Sequence, residues 1–192
     1  KVIYDIPFDD FKEDRLEDLS TKLFQLLQHI KDSPGTIFIY TNFVDKGVLM
    51  IASMLLKNGI SLFNSRKDST TELLLSKKSG FKSKRVRPNK KTQICYKCNK
   101  TFHENIDHKF APMQFDYIIG QTSEEVEKKI IYTFNSNDNH DGNKLKIIIG
   151  SSVLKEGVSF LRVRQLHILE PWHNKSRLDQ VIARGIRHCS HK

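Results

Sequence analysis

Cysteine is scarce in this chain and odd in number: Cys95, Cys98 and Cys189 are all there is among 192 residues. Three thiols exclude a disulfide-stapled scaffold, and the close pair Cys95 and Cys98 points instead to metal or redox chemistry in a reducing compartment. Long apolar runs are missing as well. No stretch approaches the roughly 18 apolar residues of a membrane span, so no membrane partner is expected. The first residues, Lys1-Val2-Ile3-Tyr4-Asp5, contain no apolar core of a signal peptide. They also lack an initiator Met, so a piece of a longer protein is expected. No internal repeat is visible. No G-x-x-x-x-G-K-[ST] occurs and no Asp-Glu box follows a strand, which leaves the sequence without a phosphate-cradling loop or a Mg²⁺-binding carboxylate pair.

What is present is a basic chain with enough apolar content for one sizeable core: 38% hydrophobic residues and a net charge of +10. The charge is concentrated. Residues 66–109 carry 13 Lys and Arg against 4 Asp and Glu, which is +9 of the total. Such a segment favours a polyanionic partner, most simply nucleic acid; a merely solvated loop is the alternative.

Read in order, the chain alternates helix and strand. Leu16, Leu19, Leu23, Leu26, Leu27 and Ile30 predict one amphipathic helix ending near Lys31, stopped by Ser33-Pro34-Gly35. Thr36-Ile37-Phe38-Ile39-Tyr40-Thr41 is a continuous apolar, β-rich run of the kind buried on both faces of a parallel sheet. Asn42 then reads as a helix cap, and Val44, Val48, Ile51, Ala52 and Leu55 as the next helical stripe, closed by Asn58-Gly59. A second strand is expected over residues 60–63. Periodicity lapses from 66 to 89 and returns at the strand Phe115–Ile119, followed by a capping box at Thr122-Ser123-Glu124-Glu125 and a helix to about Phe134. Residues 145–149 and 166–169 are further buried strands. The pattern is α/β.

Three features carry chemistry. Gln180, Arg184 and Arg187 recur at i, i+4 and i+7, so on a helix they share one face. Two guanidinium groups and an amide there suit a polyphosphate, although a solvated basic face is the simpler reading. Cys95, Cys98, His103 and His108 are spaced C-x2-C-x4-H-x4-H, a donor set for a tetrahedral, closed, structural Zn²⁺ site; surface cysteines beside unrelated histidines are the alternative, and Asp107 competes with His103 for the weakest position. Finally, small polar residues follow three strands: Thr41-Asn42, Gly150-Ser151-Ser152 and, in a turn beside them, Glu156-Gly157-Val158-Ser159. Anions bind at such carboxyl ends in α/β proteins, but Ser and Gly also simply terminate strands.

Taken together, residues 36–43 look like motif IV, 150–160 like motif V and 180–187 like motif VI (Q-x-x-G-R-x-x-R) of superfamily 2 helicases. The chain resembles the C-terminal RecA-like lobe of such an enzyme. More narrowly, residues 155–160, 168–174 and 180–190 are similar to helicases of large DNA viruses, a group that includes the poxvirus nucleoside triphosphatase of transcription termination and the small subunit of the early transcription factor.

The resemblance implies a three-layer RecA-like α/β fold with a mostly parallel central sheet, divided as 1–64, a basic zinc-knuckle insertion 65–112, and 113–192. It implies Arg187 as arginine finger, with Arg184 stabilising charge on the γ-phosphate and Gln180 orienting nucleotide or water. It further implies nucleotide contacts from Glu156 and Gly157, and nucleic-acid contacts from Thr41, Asn42, Ser151, Ser152 and Lys155. ATP with Mg²⁺ would be held mainly by an N-terminal lobe of the same polypeptide. The track would be DNA in preference to RNA, the partners viral transcription machinery, and the location intracellular, in a virion or a cytoplasmic viral factory. Two departures stand out: Ala183 replaces the motif VI glycine, and Ser159 replaces a common aspartate. Competing functions are a remodeller-like double-strand translocase and a non-enzymatic zinc-containing nucleic-acid-binding module.

Overall fold

The computed structural model describes residues 8–63, 90–104, 106–152, 158–170 and 175–185. Five parallel strands form one sheet: β1 (Ile37–Tyr40), β2 (Ser61–Leu62), β3 (Gln114–Ile118), β4 (Ile147–Gly150) and β5 (Gln165–Ile168). Their order across the sheet is β2-β3-β4-β1-β5. In register, Tyr40 lies beside Gly150 on one side and Ile168 on the other, so three chain segments leave the same edge next to one another.

Each central strand is apolar on both faces because helices cover both. Ile37, Ile39, Ile147, Ile149, Phe115 and Tyr117 join one core with Leu23, Leu26, Leu27, Ile30, Ile51 and Leu55. These come from helices α2 (Thr21–Asp32) and α3 (Leu49–Lys57). Phe38, Tyr40, Ile118 and Ile148 join a second core with Ile130 and Phe134 of α4 (Glu124–Asn135) and Val181 of α5 (Lys175–Gly185). Full burial of side chains this large is worth roughly 1.5–3 kcal/mol each. The result is the α/β architecture that the strand and helix pattern predicts, in the three layers that the resemblance implies.

Three local expectations are corrected. The first helix is two: α1 (Glu13–Leu19) ends before α2 begins, because Ser20 adopts extended geometry (φ −166°, ψ 107°) and its Oγ accepts from Leu23 N at 3.3 Å. A side chain that competes for backbone donors turns a continuous apolar stripe into a break with its own N-cap. Asn42 is not a helix cap; the π-helical turn Val44–Val48 follows Phe43, and Asn42 hydrogen bonds to Glu170 instead. The capping box before α4 does not form either. Thr122 Oγ1 accepts from Ile119 N at 3.0 Å and Ser123 makes no side-chain cap, leaving Glu124, Glu125 and Glu127 to complement the helix dipole. The Asn58-Gly59 stop is found as expected. Gly59 has φ +80°, and a Cβ there would collide with the carbonyl of Thr92.

Candidate functional site

At the carboxyl edge, β1 and β4 are neighbours whose following segments depart to opposite faces. Val48 and α3 after β1 pack in the first core, and Phe160 and Val163 after β4 in the second. This divergence makes a crevice between adjacent strand ends, the place where α/β folds bind ligands. Thr41 and Ser151 stand at its two lips, both buried, tied to the sheet by Thr41 N to Gly150 O (3.1 Å) and Ser151 N to Ile118 O (3.3 Å). Ser152, next along, is exposed.

The third strand end supplies a carboxylate. Glu170 accepts from Thr41 Oγ1 at 2.8 Å and from Asn42 N at 3.0 Å, while Asn42 Nδ2 donates to the Glu170 carbonyl at 3.3 Å. The Thr41 hydroxyl also accepts from Phe43 N at 3.3 Å. Gly47 lies against this threonine so closely that a Cβ would meet its hydroxyl and come within 2.9 Å of its methyl. Two buried polar atoms at the crevice, Asn42 Oδ1 and Ser151 Oγ, have no hydrogen-bond partner among the described residues. Such atoms are rare in native interiors and mark places where a ligand or ordered water belongs.

The arginine helix lies on the second face of the sheet. α5 buries Val181 and leaves Gln180 and Ala183 exposed. Arg184 is within this helix; its side chain, and Arg187, Lys155, Glu156 and Gly157 altogether, lie outside the described residues. Ser159 is described, and its carbonyl accepts from Asn135 Nδ2 at 2.9 Å. Glu170 is the residue at this edge that sequence reasoning left without a role. Its only signal was a carboxylate ending an apolar strand just before Pro171.

A second cluster occupies the opposite edge. Cys95 Sγ, Cys98 Sγ and a His108 ring nitrogen all lie within 4.8 Å of one another, with Cys95 Sγ to His108 Nε2 at 3.3 Å. Asp107 Oδ1 is 2.8 Å from His108 Nδ1, the outer contact that fixes the tautomer of a metal-binding imidazole. Asn99, directly after the Cys98 knuckle, takes the left-handed conformation (φ 59°) that its short amide tolerates. Burial opposes ionisation of the Cys95 thiol, but backbone groups of Ala111 and Lys97 and the His108 ring outweigh it and bring its pKa down to about 7. His108 is raised in turn, by Cys95 first and Asp107 second. These two thiols and one imidazole are a fitting donor set for Zn²⁺. The structure does not bring His103 to them. Its ring is exposed and packs edge-on against Phe102, with centroids 5.8 Å apart, because the turn from Thr101 to Glu104 directs it outward.

The module is fixed to the sheet's amino edge. Ile94 N donates to Gly59 O at 3.0 Å and Met113 N to Ile94 O at 2.8 Å. Asn99 Nδ2 caps the end of α2 at Lys31 O (2.9 Å). Lys146, just before β4, is buried and donates to Ser33 O (2.8 Å) and Tyr96 O (3.0 Å), and its burial lowers its pKa to about 8.

Residues 70–189 match the helicase conserved C-terminal domain. The chain belongs to that helicase family. Among its relatives, a protein of Acanthamoeba polyphaga mimivirus named as an ATP-dependent RNA helicase is 31% identical over 181 residues, covering 93% of this chain and 24% of that protein. The African swine fever virus termination factor NPH-I homolog is 31% identical over 184 residues, 94% of this chain and 24% of its own length. The early transcription factor large subunit homolog of the same virus is 30% identical over 167 residues, 86% of this chain and 13% of its own length. The helicase C-terminal lobe therefore spans a quarter or less of the viral proteins it matches. No described helix is long and apolar enough to cross a membrane.

Proposed function

We propose that this helicase C-terminal lobe completes the ATP site of a nucleic-acid-dependent translocase acting in viral transcription. One observation carries the reading: three segments that end neighbouring strands meet at one crevice, and Glu170, at the end of β5 just ahead of the arginine helix, hydrogen bonds to the loop after β1. Ser151 and Ser152, with Thr41, Asn42 and Lys155, contact the nucleic-acid backbone. Thr41 does so only once its hydroxyl is released from Glu170. Arg187 is the arginine finger, Arg184 stabilises charge on the γ-phosphate, and Gln180 orients nucleotide or water, with Glu156 and Gly157 beside the nucleotide. ATP and Mg²⁺ are held mainly by a partner lobe, since the sequence has no phosphate-cradling loop.

The track is DNA in this reading. Two relatives, named an early transcription factor large subunit homolog and a termination factor homolog, support it, whereas the mimivirus relative is named for RNA. The site of action is intracellular, in a virion or cytoplasmic viral factory. Residues 65–112 form a basic insertion whose cysteine module holds one structural Zn²⁺ through Cys95, Cys98 and His108. The module favours a second reading as a non-enzymatic zinc-containing nucleic-acid binder, and ATP hydrolysis separates the two. The isolated chain should have negligible ATPase activity, while the full-length protein should hydrolyse ATP when nucleic acid is added. Robust turnover by the isolated chain overturns the divided site.

A further inference from the structure

We infer that the outer face of the cysteine module is a second contact for single-stranded nucleic acid, with Phe102 as stacking platform and Lys97 and Lys109 as phosphate contacts. The inference rests on the reading above that nucleic acid is the lobe's substrate. Phe102 is 62% exposed, yet its ring is held in place. Phe110 meets it edge-on at 5.5 Å and 89°, and His103 does so at 5.8 Å and 82°. Its backbone is anchored next door, where the Thr101 hydroxyl and N–H both donate to the Glu104 carboxylate. A fixed, uncovered aromatic loses little conformational freedom on binding, and its face accepts any base.

The charge around it selects an anion. The acids of the described module, Glu104 and Asp107, are both engaged within it, the first with Thr101 and the second with His108. Lys97 and Lys109 are exposed, and the Lys97 charge helps to lower the pKa of the Asp107 carboxyl. Across residues 90–112 five lysines face two acids, so the module carries a positive balance. Phosphates satisfy the lysines, but only an unpaired strand also offers base faces to Phe102, because a duplex keeps its bases stacked. Lys146 and Asn99 fix the module to the amino edge of the sheet, so this contact is separate from the crevice at the carboxyl edge.

The test is binding of labelled single-stranded homopolymers and of a hairpin duplex to the 192-residue chain. Phe102→Ala should weaken single-strand binding about tenfold and leave duplex binding unchanged. Phe102→Trp should retain affinity, and the introduced fluorescence should be quenched on binding. Lys97→Gln with Lys109→Gln should reduce the single-strand salt slope by about 1.4, at about 0.7 for each phosphate contact. Wild-type single-strand affinity in Phe102→Ala overturns the inference and leaves the function intact. An equal loss for strand and duplex also overturns it, since stacking would not be the cause. Failure of the wild-type chain to bind either nucleic acid overturns both the inference and the functional reading.

Discussion

Thr41 and Glu170, 129 residues apart in sequence, share a 2.8 Å hydrogen bond that joins the end of β1 to the end of its neighbour, the edge strand β5. The same carboxylate accepts from Asn42 N at 3.0 Å. A single side chain thus holds the loop after β1 in register with the segment that leads to the arginine helix. Glu170→Ala should destabilise the fold by about 2 kcal/mol, because it leaves the buried Thr41 hydroxyl and the Asn42 N–H without a charged acceptor. Glu170→Gln, which keeps an acceptor, should lose less. Chemical denaturation of the three proteins orders them; equal stability for Ala and wild type would remove Glu170 as the tie.

Gly47→Ala tests the same corner from the other side. The added methyl has to displace Thr41, with its hydroxyl and methyl both in the way. A loss of about 1–3 kcal/mol is expected, the range for overpacking a filled site. In a Thr41→Ala background, where hydroxyl and methyl are both gone, Gly47→Ala should cost clearly less than it does beside the native threonine; an equal cost in the two backgrounds would assign it elsewhere.

For the cysteine module, metal analysis of the purified chain should find one zinc per molecule. Cys95→Ser, Cys98→Ser and His108→Ala should each lose it, and chelation should lower the melting temperature. His103→Ala should retain the metal, because its ring faces out beside Phe102. Loss of zinc from His103→Ala would restore the four-donor spacing read from sequence.

Lys146 gives a pH dependence whose sign is fixed. Its pKa falls from 10.5 to about 8 on folding, so between those values the unfolded chain binds a proton that the folded chain does not. Stability should therefore rise with pH through this window, by at most about 3 kcal/mol at 1.36 kcal/mol per unit. Lys146→Met should flatten this rise in a comparison of denaturation midpoints at pH 8 and pH 10.5. An unchanged slope would show that the buried ammonium is not its source.

Much of the frame was legible because periodicity reports burial. Ile37-Phe38-Ile39-Tyr40 and Ile147-Ile148-Ile149 are apolar on both faces, and they are central strands covered on both faces. The Cys95, Cys98 and His108 grouping was visible through spacing alone, since a C-x2-C knuckle is local. What spacing could not reveal were choices made by competing hydrogen bonds. Ser20 breaks a helix whose apolar stripe continues through it, and Asn42 leaves a capping role for a partner distant in sequence. Glu170 and Lys146 were hidden for the same reason: each is a charge within or beside an apolar strand, and its meaning lies in carbonyls or hydroxyls from other elements. The separation of the two edges also needed the fold. Sequence order places the cysteine module between two halves of one lobe without saying that it sits at the amino edge, away from the crevice.

Arg187→Ala in the full-length protein puts the proposed role of the lobe to its most direct test, read as nucleic-acid-stimulated ATP hydrolysis. A finger that stabilises the transferring phosphoryl group predicts a fall in turnover of roughly 10³-fold, with nucleic-acid binding retained. Turnover equal to that of the unmodified protein would contradict it.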